Sequence, residues 1–406
     1  MGKGERVNGR KGAGAYARLA ISLSLFLPLA LSLLLAGCDT LRVQRPLRPA
    51  PPPGPAEAGA VAPPLEQVWR YSAEGAFGPA PALVADGRVL VATRHGEVHL
   101  VDAASGDRIG KAGVGEAVEG TPVLLDGRLL VLPVAKGKYG LVAYDLVEGR
   151  RVWTRRGDPH VAGLLLAGDV LLAAAYDGTV RGLDPRTGTE RWSLRPDTLA
   201  RYFAAPVLLA SGRAAVADDR GRVTALDPAT GRVAWTADVG APVHETPGAA
   251  GGLLIVPTTR GRLVALDAAT GAEVWRHEAE DTGVLFASPT VAPGSGPGQA
   301  VLVGASDGVV RRLDAATGAV VWTRRFDGNV AAAPLVVGET VYVGTLDRRL
   351  VALDLATGAE RWSTELEGRI KSASVVIGDV VLVFAEPHHV HAFRAVGAPG
   401  AGVASR

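Results

Sequence analysis

The sequence predicts an all-β chain: an eight-bladed β-propeller of four-stranded antiparallel blades, with an N-terminal strand closing the last blade. Two observations carry this reading. The seven Trp of the 406 residues share one place in a recurring phrase, Asp-x-x-Thr-Gly-x-x-x-Trp or a decayed copy of it. The phrase starts at Asp102, Asp145, Asp184, Asp227, Asp267, Asp314 and Asp354, at intervals of 43, 39, 43, 40, 47 and 40 residues. A period of about 40 residues signals one four-stranded sheet per repeat in a radial array. One repeat cannot bury its apolar face, and the repeats must therefore stack.

Taken from the N-terminus, residues 1–37 have the layout of an export signal. Lys3, Arg6, Arg10, Lys11 and Arg18 precede an apolar run from Leu19 to Leu35, which ends in Leu35-Ala36-Gly37-Cys38. A short membrane anchor with an incidental Cys is the other reading of that run. Residues 38–65 follow as a tether, Pro-rich from Arg45 to Pro64 and extended by its composition. Loss of residues 1–37 would remove five basic and one acidic residue and turn the formal charge from +2 to −2, so the basic balance belongs to the signal. No basic, aromatic-interleaved stretch points to nucleic acid. Cys38 is the only Cys, which excludes a disulfide within the chain and a Cys-based metal site.

The propeller is expected over residues 66–396. Within one repeat, Ala333-Pro334-Leu335-Val336-Val337, Val341-Tyr342-Val343-Gly344, Leu350-Val351-Ala352-Leu353 and the segment around Trp362 read as four short strands between Gly and Asp turns. In the phrase itself, the Asp carboxylate can accept turn N–H groups and the Gly can take a positive φ, giving a tight hairpin. Trp153, Trp192, Trp235, Trp275, Trp322 and Trp362 are read as framework residues placed to pack between blades; the first repeat has Gly110 where its Trp should be. At the C-terminus Val390-His391-Ala392-Phe393-Arg394 copies a third strand with no Trp after it. Trp69, near the other end, supplies the missing outer strand and makes the eighth blade, leaving residues 397–406 as a tail expected to be disordered.

Strand alternation puts the loops between second and third strands and the connectors between blades on one face. The insertions at 135–139, 193–205 and 276–288 all fall on that face. Connector 193–205 contains Arg195, Leu199, Arg201, Tyr202 and Phe203 in a chain that is only 5% aromatic, the composition of an interface hot spot. Packing of Tyr202 and Phe203 beneath the rim is the competing reading. His389 and His391 fall on one side of a strand with His388 beside them, but the surrounding sequence offers only Glu386 as a further ligand. No metal is expected, and no catalytic Ser/His/Asp set or phosphate loop is apparent.

The phrase Leu-Asp-x-x-Thr-Gly-x-x-x-Trp resembles the repeat of pyrroloquinoline-quinone (PQQ) propellers, over Trp69 to about Arg394. One branch of that group comprises quinoprotein dehydrogenases, which hold PQQ and Ca²⁺ on the propeller axis. The other comprises BamB-type lipoproteins of the outer-membrane β-barrel assembly machinery. A single Cys and near-minimal blades favour the second, as do residues 212–223, similar to that family's fourth blade, and residues 390–394, similar to its C-terminus. Leu35-Ala36-Gly37-Cys38 likewise resembles a bacterial lipobox, which implies lipidation at Cys38.

The resemblance therefore implies a non-catalytic, cofactor-free scaffold, anchored by lipid on the periplasmic face of the outer membrane, with Asp39 leaving the inner membrane open. It implies protein partners, the barrel-assembly subunit among them, and no nucleic acid or small-molecule substrate. The family's contacts carry over to Arg201 and, one position displaced, to Leu199. Tyr202 and Phe203 adjoin them, and Glu245 stands beside His244 where the family has an acidic pair. A small quinoprotein-like PQQ-binding protein or dehydrogenase, and a cell-envelope ligand-binding module, are the alternatives.

Overall fold

In the repeats, β-branched and Leu-rich runs alternate with Asp-Gly and Thr-Gly turns, and each run becomes a strand. The computed structural model describes residues 41–48 and 61–397, apart from residues 116, 137, 158, 159, 161, 197, 198, 282 and 293–298. The expectations for the signal, for Cys38 and for residues 398–406 fall outside the described residues. Among the described residues there are strands and turns but no helix.

Eight antiparallel sheets form the blades of a propeller, at residues 77–113, 123–156, 164–194, 207–238, 248–278, 290–325, 335–365 and 369–395. The eighth is completed at its outer edge by Leu65–Ser72, which pairs with His389–Ala395, as the sequence predicts. Its inner strand comes in two pieces, Arg369–Ile370 and Val375–Ile377, both paired with Val380–Glu386. Ser372 Oγ donates to the Gly78 carbonyl at 2.6 Å, joining the eighth blade to the first.

Second strands such as Leu129–Pro133, Val170–Ala174 and Thr340–Gly344 are buried throughout. Their continuous apolar runs reflect a neighbouring blade on each side, where a half-solvated strand would alternate. Outer strands such as Val233–Asp238 are mostly exposed with a buried Trp.

The motif turns link one blade to the next. Asp227 Oδ1 accepts the N–H groups of Ala229 and Thr230 at 2.8 and 3.0 Å, and Gly231 takes φ +72°. The indole of Trp192, from the preceding blade, donates to the Pro228 carbonyl at 2.9 Å and lies against Gly231. A Cβ on residue 231 would stand 2.5 Å from Cε3 of Trp192. Gly231→Ala therefore combines the left-handed backbone penalty with displacement of a packed indole and is expected to cost about 2–4 kcal/mol. At Gly212 φ is +78° with nothing within 4 Å of a Cβ. Gly212→Ala should accordingly cost only about 1 kcal/mol. Denaturant midpoints of the two variants separate the terms, and equal losses would remove the indole from the account.

Residues 41–48 lie in the segment expected to be a tether, and they are docked on the propeller. Leu41, Val43 and Leu47 are buried in the core shared by blades 1 and 2. Their N–H groups donate to the carbonyls of Lys111, Leu146 and Gly127, each at 2.7 Å. The tether expectation missed this because proline content speaks for extended backbone, which a docked segment also adopts. Further along, Val61 is buried against the core of blades 7 and 8, and its carbonyl accepts the Tyr342 hydroxyl.

Candidate functional site

Connector 193–205 is extended where it enters blade 4, and its side chains alternate in direction. Leu199 is 66% exposed, Ala200 is buried, Arg201 is exposed and Tyr202 is 1% exposed. Asp219, in the loop between the second and third strands of blade 4, fixes this register. Its carboxylate accepts the Arg201 N–H at 2.8 Å, and its own N–H donates to the Arg201 carbonyl at 3.0 Å.

The alternation separates the residues expected to bind together. Leu199 and Arg201 face outward, whereas the Tyr202 ring enters the core between blades 3 and 4 with Val170, Leu172, Val216 and Trp192. Tyr202 is thus a packing residue, and its place among the contact residues is corrected: its ring has no surface to offer a partner while the blades are folded. Phe203 is half-buried. Its ring meets Tyr176 edge-on at 5.4 Å and tilts against His244 at 4.5 Å. The Arg201 guanidinium lies 4.7 Å from the Tyr176 ring centre and donates to the Tyr176 hydroxyl at 2.9 Å. Arg201, Tyr176, Phe203 and His244 thus form a row leading from the rim toward the axis. Holding the guanidinium over a ring reduces the rotamer freedom that binding would otherwise have to remove.

Glu245 lies at the inner end of that row, with its carboxylate turned into the structure. It accepts the Ser288 hydroxyl at 2.9 Å, and burial holds its carboxyl above the usual range despite that bond. It contributes to a funnel of about 240 Å³ to which every blade contributes, Pro79, Thr121, Gly163 and Ala373 among the lining residues. A second cavity of about 130 Å³ lies beside it, between His244, Glu245, Thr258 and Phe286, under the 51%-exposed Leu285. Leu285 is a second apolar group on the connector face. Its position in the lengthened 276–288 connector is the signal that could have found it.

The funnel can be tested for a quinone cofactor by its donors. A polycarboxylate quinone with Ca²⁺ requires several cationic groups and hard oxygen ligands together. Among the described lining residues, the cation Lys371 is paired with Glu386 at 2.9 Å. Glu245 is the one carboxylate among those residues and already accepts the Ser288 hydroxyl, and much of the remainder is Gly and Ala. This set does not fit that cofactor.

The histidines near the C-terminus serve the closing strand. His391 is buried, its Nδ1 lies 2.7 Å from Gln67 Oε1 of that strand, and His389 and His391 stand 5.9 Å apart ring to ring. Among the described residues, no group of three or more His, Cys, Asp or Glu is arranged to hold a metal ion.

Similarity to known proteins agrees with this geometry. No curated protein matches the chain. Solved structures that share its fold include the following three. BamB from Moraxella catarrhalis is 23% identical, with a TM-score of 0.68, over 81% of this chain and 99% of that one. The computationally designed Ika8 protein is 14% identical, with a TM-score of 0.67, over 80% and 98%. Quinohemoprotein alcohol dehydrogenase from Comamonas testosteroni is 14% identical, with a TM-score of 0.66, over 87% and 81%. At these identities the likeness is one of fold. The family described as outer membrane protein assembly factor BamB matches residues 57–195, 176–308 and 306–397, which together span the whole propeller, and the chain belongs to that family.

Proposed function

We propose that the protein is a non-catalytic periplasmic scaffold of a Gram-negative cell envelope, lipid-anchored at Cys38 on the outer membrane. It binds the β-barrel assembly subunit through its connector face. Family membership supports the assembly role. The observation that carries the site is the pair Leu199 and Arg201, exposed on a connector whose backbone is pinned by Asp219 and whose guanidinium is held over Tyr176. An apolar anchor beside a preset Arg is the composition of an interface hot spot. The donor set of the funnel gives the quinoprotein reading no support.

The test is affinity for the barrel-assembly subunit, measured together with thermal stability. Arg201→Ala and Leu199→Asp are each expected to cost about 2 kcal/mol of binding, roughly thirtyfold in Kd, with the melting temperature nearly unchanged. Parent-like affinity in both variants would remove this connector from the interface.

A further inference from the structure

At six seams between blades the same contact recurs. The indole N–H of Trp69, Trp153, Trp192, Trp235, Trp275 or Trp322 donates, at 2.8–3.2 Å, to the carbonyl just after the motif Asp of the next blade. Between blades 1 and 2 this contact is missing its donor, because Gly110 occupies the Trp position. The corresponding carbonyl there is that of Leu146, and it accepts the backbone N–H of Val43 at 2.7 Å. Leu41 and Val43 supply the apolar bulk the indole would have given, and the Tyr144 hydroxyl donates to the Leu41 carbonyl at 3.0 Å. The docked segment thus takes the place of a framework tryptophan.

Its other side is cationic. In Leu41-Arg42-Val43-Gln44-Arg45-Pro46-Leu47-Arg48 the apolar residues turn inward, while Arg42, Arg45 and Arg48 are exposed. Arg45 is paired with Asp86 at 3.0 Å, and Arg42 Nε donates to the Val147 carbonyl at 2.9 Å. Asp86, Gly127, Leu146 and Val147 all belong to turns on the hairpin face, opposite the connectors.

We propose that residues 41–48 are a strap that presents the hairpin face of blades 1 and 2 to anionic lipid headgroups, so that the connector face is directed away from the membrane. The proposal rests on the lipid-anchored reading above. Cys38 precedes Leu41 by three residues, and an acyl anchor there is confined to within about 11 Å of the strap, at ~3.8 Å per Cα step. A free Pro-rich tether would leave the propeller to tumble. A docked strap with three arginines adds a second, electrostatic attachment to the lipid one and gives the attachment a direction.

Photo-crosslinking on vesicles of phosphatidylethanolamine and phosphatidylglycerol tests this with the mature chain. Benzoylphenylalanine replaces Arg150 on the hairpin face or Leu199 on the connector face, and lipid adducts are counted after irradiation. Mass analysis of the N-terminal peptide reports acylation separately. If Cys38 carries no acyl group, coupling it to a maleimide phospholipid supplies the anchor, so orientation is tested even where the lipidation reading fails. Adducts are expected from position 150 with few from 199, and they should decline when phosphatidylcholine replaces phosphatidylglycerol. In L41S/V43S/L47S the preference should be lost. The same triple change with Gly110→Trp, which refills the seam with an indole, should lose it too and guards against simple unfolding of the first. Equal labelling of 150 and 199 in the strapped chain, a preference that survives in the unstrapped folded variant, or labelling indifferent to lipid charge would overturn the proposal.

Discussion

Tyr202→Ala is expected to destabilise the propeller by about 3–5 kcal/mol, the cost of deleting a buried aromatic ring. The ring is 1% exposed and fills the junction of blades 3 and 4 against Val170, Leu172, Val180, Val216 and Trp192. These residues lie on strands that cannot collapse into the void without breaking their pairing within the two sheets. The cavity term is therefore added to the lost transfer free energy rather than relieved. Leu199→Ala, three residues away on the same connector, removes a side chain that is 66% exposed. It should change stability by no more than about 0.5 kcal/mol. Denaturant unfolding of both variants is the measurement, supplemented by partner affinity for the fraction that stays folded. A Tyr202→Ala protein with parental stability would show that the ring is not part of the core, and would restore it as a contact candidate.

The contrast between these neighbours marks how far the sequence could be read. The blade count and the closing strand were legible because Asp-x-x-Thr-Gly-x-x-x-Trp repeats, and each copy makes the same local turn, met at six seams by an indole from the preceding blade. The connector was legible only as a composition. Extended backbone sends successive side chains to opposite sides, and Arg201 outward implies Tyr202 inward and Leu199 outward, against simple hydrophobicity. Only the hydrogen bonds to Asp219 settle that parity. Glu245 is read in the sequence as a connector residue, yet its carboxylate turns to Ser288, 43 positions away in the chain. Funnel residues come from all the blades, and no local pattern unites them. Of the strap, the sequence reading held only the missing Trp at Gly110; that residues 41–48, read as part of a tether, fill its place requires the fold.

The propeller is also expected to lose stability on mild acidification, through two histidines buried without charge. Burial is the main reason that His160 and His391 each titrate at about 4 in the folded chain. His391 is pushed down further by the nearby charges of His389 and Arg70 and is opposed by Glu367. In the unfolded chain a histidine titrates near ~6.5. Between those values the unfolded state binds more protons than the folded one. The stabilisation is accordingly present above about pH 6.5 and is lost as pH falls toward about 4. For each histidine the loss between about pH 7 and about pH 5 is on the order of 2 kcal/mol. Burial of Glu245 and Asp218 acts with the opposite sign, because their raised carboxyls take up a proton more readily when folded. The total slope is therefore a poor diagnostic, and a difference between variants is the useful one. His391→Gln keeps a polar group beside Gln67 and removes one titration; its stability should fall less steeply with acid than the parent's, by about 2 kcal/mol over that interval. Whatever constant offset the substitution introduces cancels in the slope. Parallel curves for parent and variant would mean that His391 titrates alike in both states, and that its burial behind the closing strand carries no proton-linked cost.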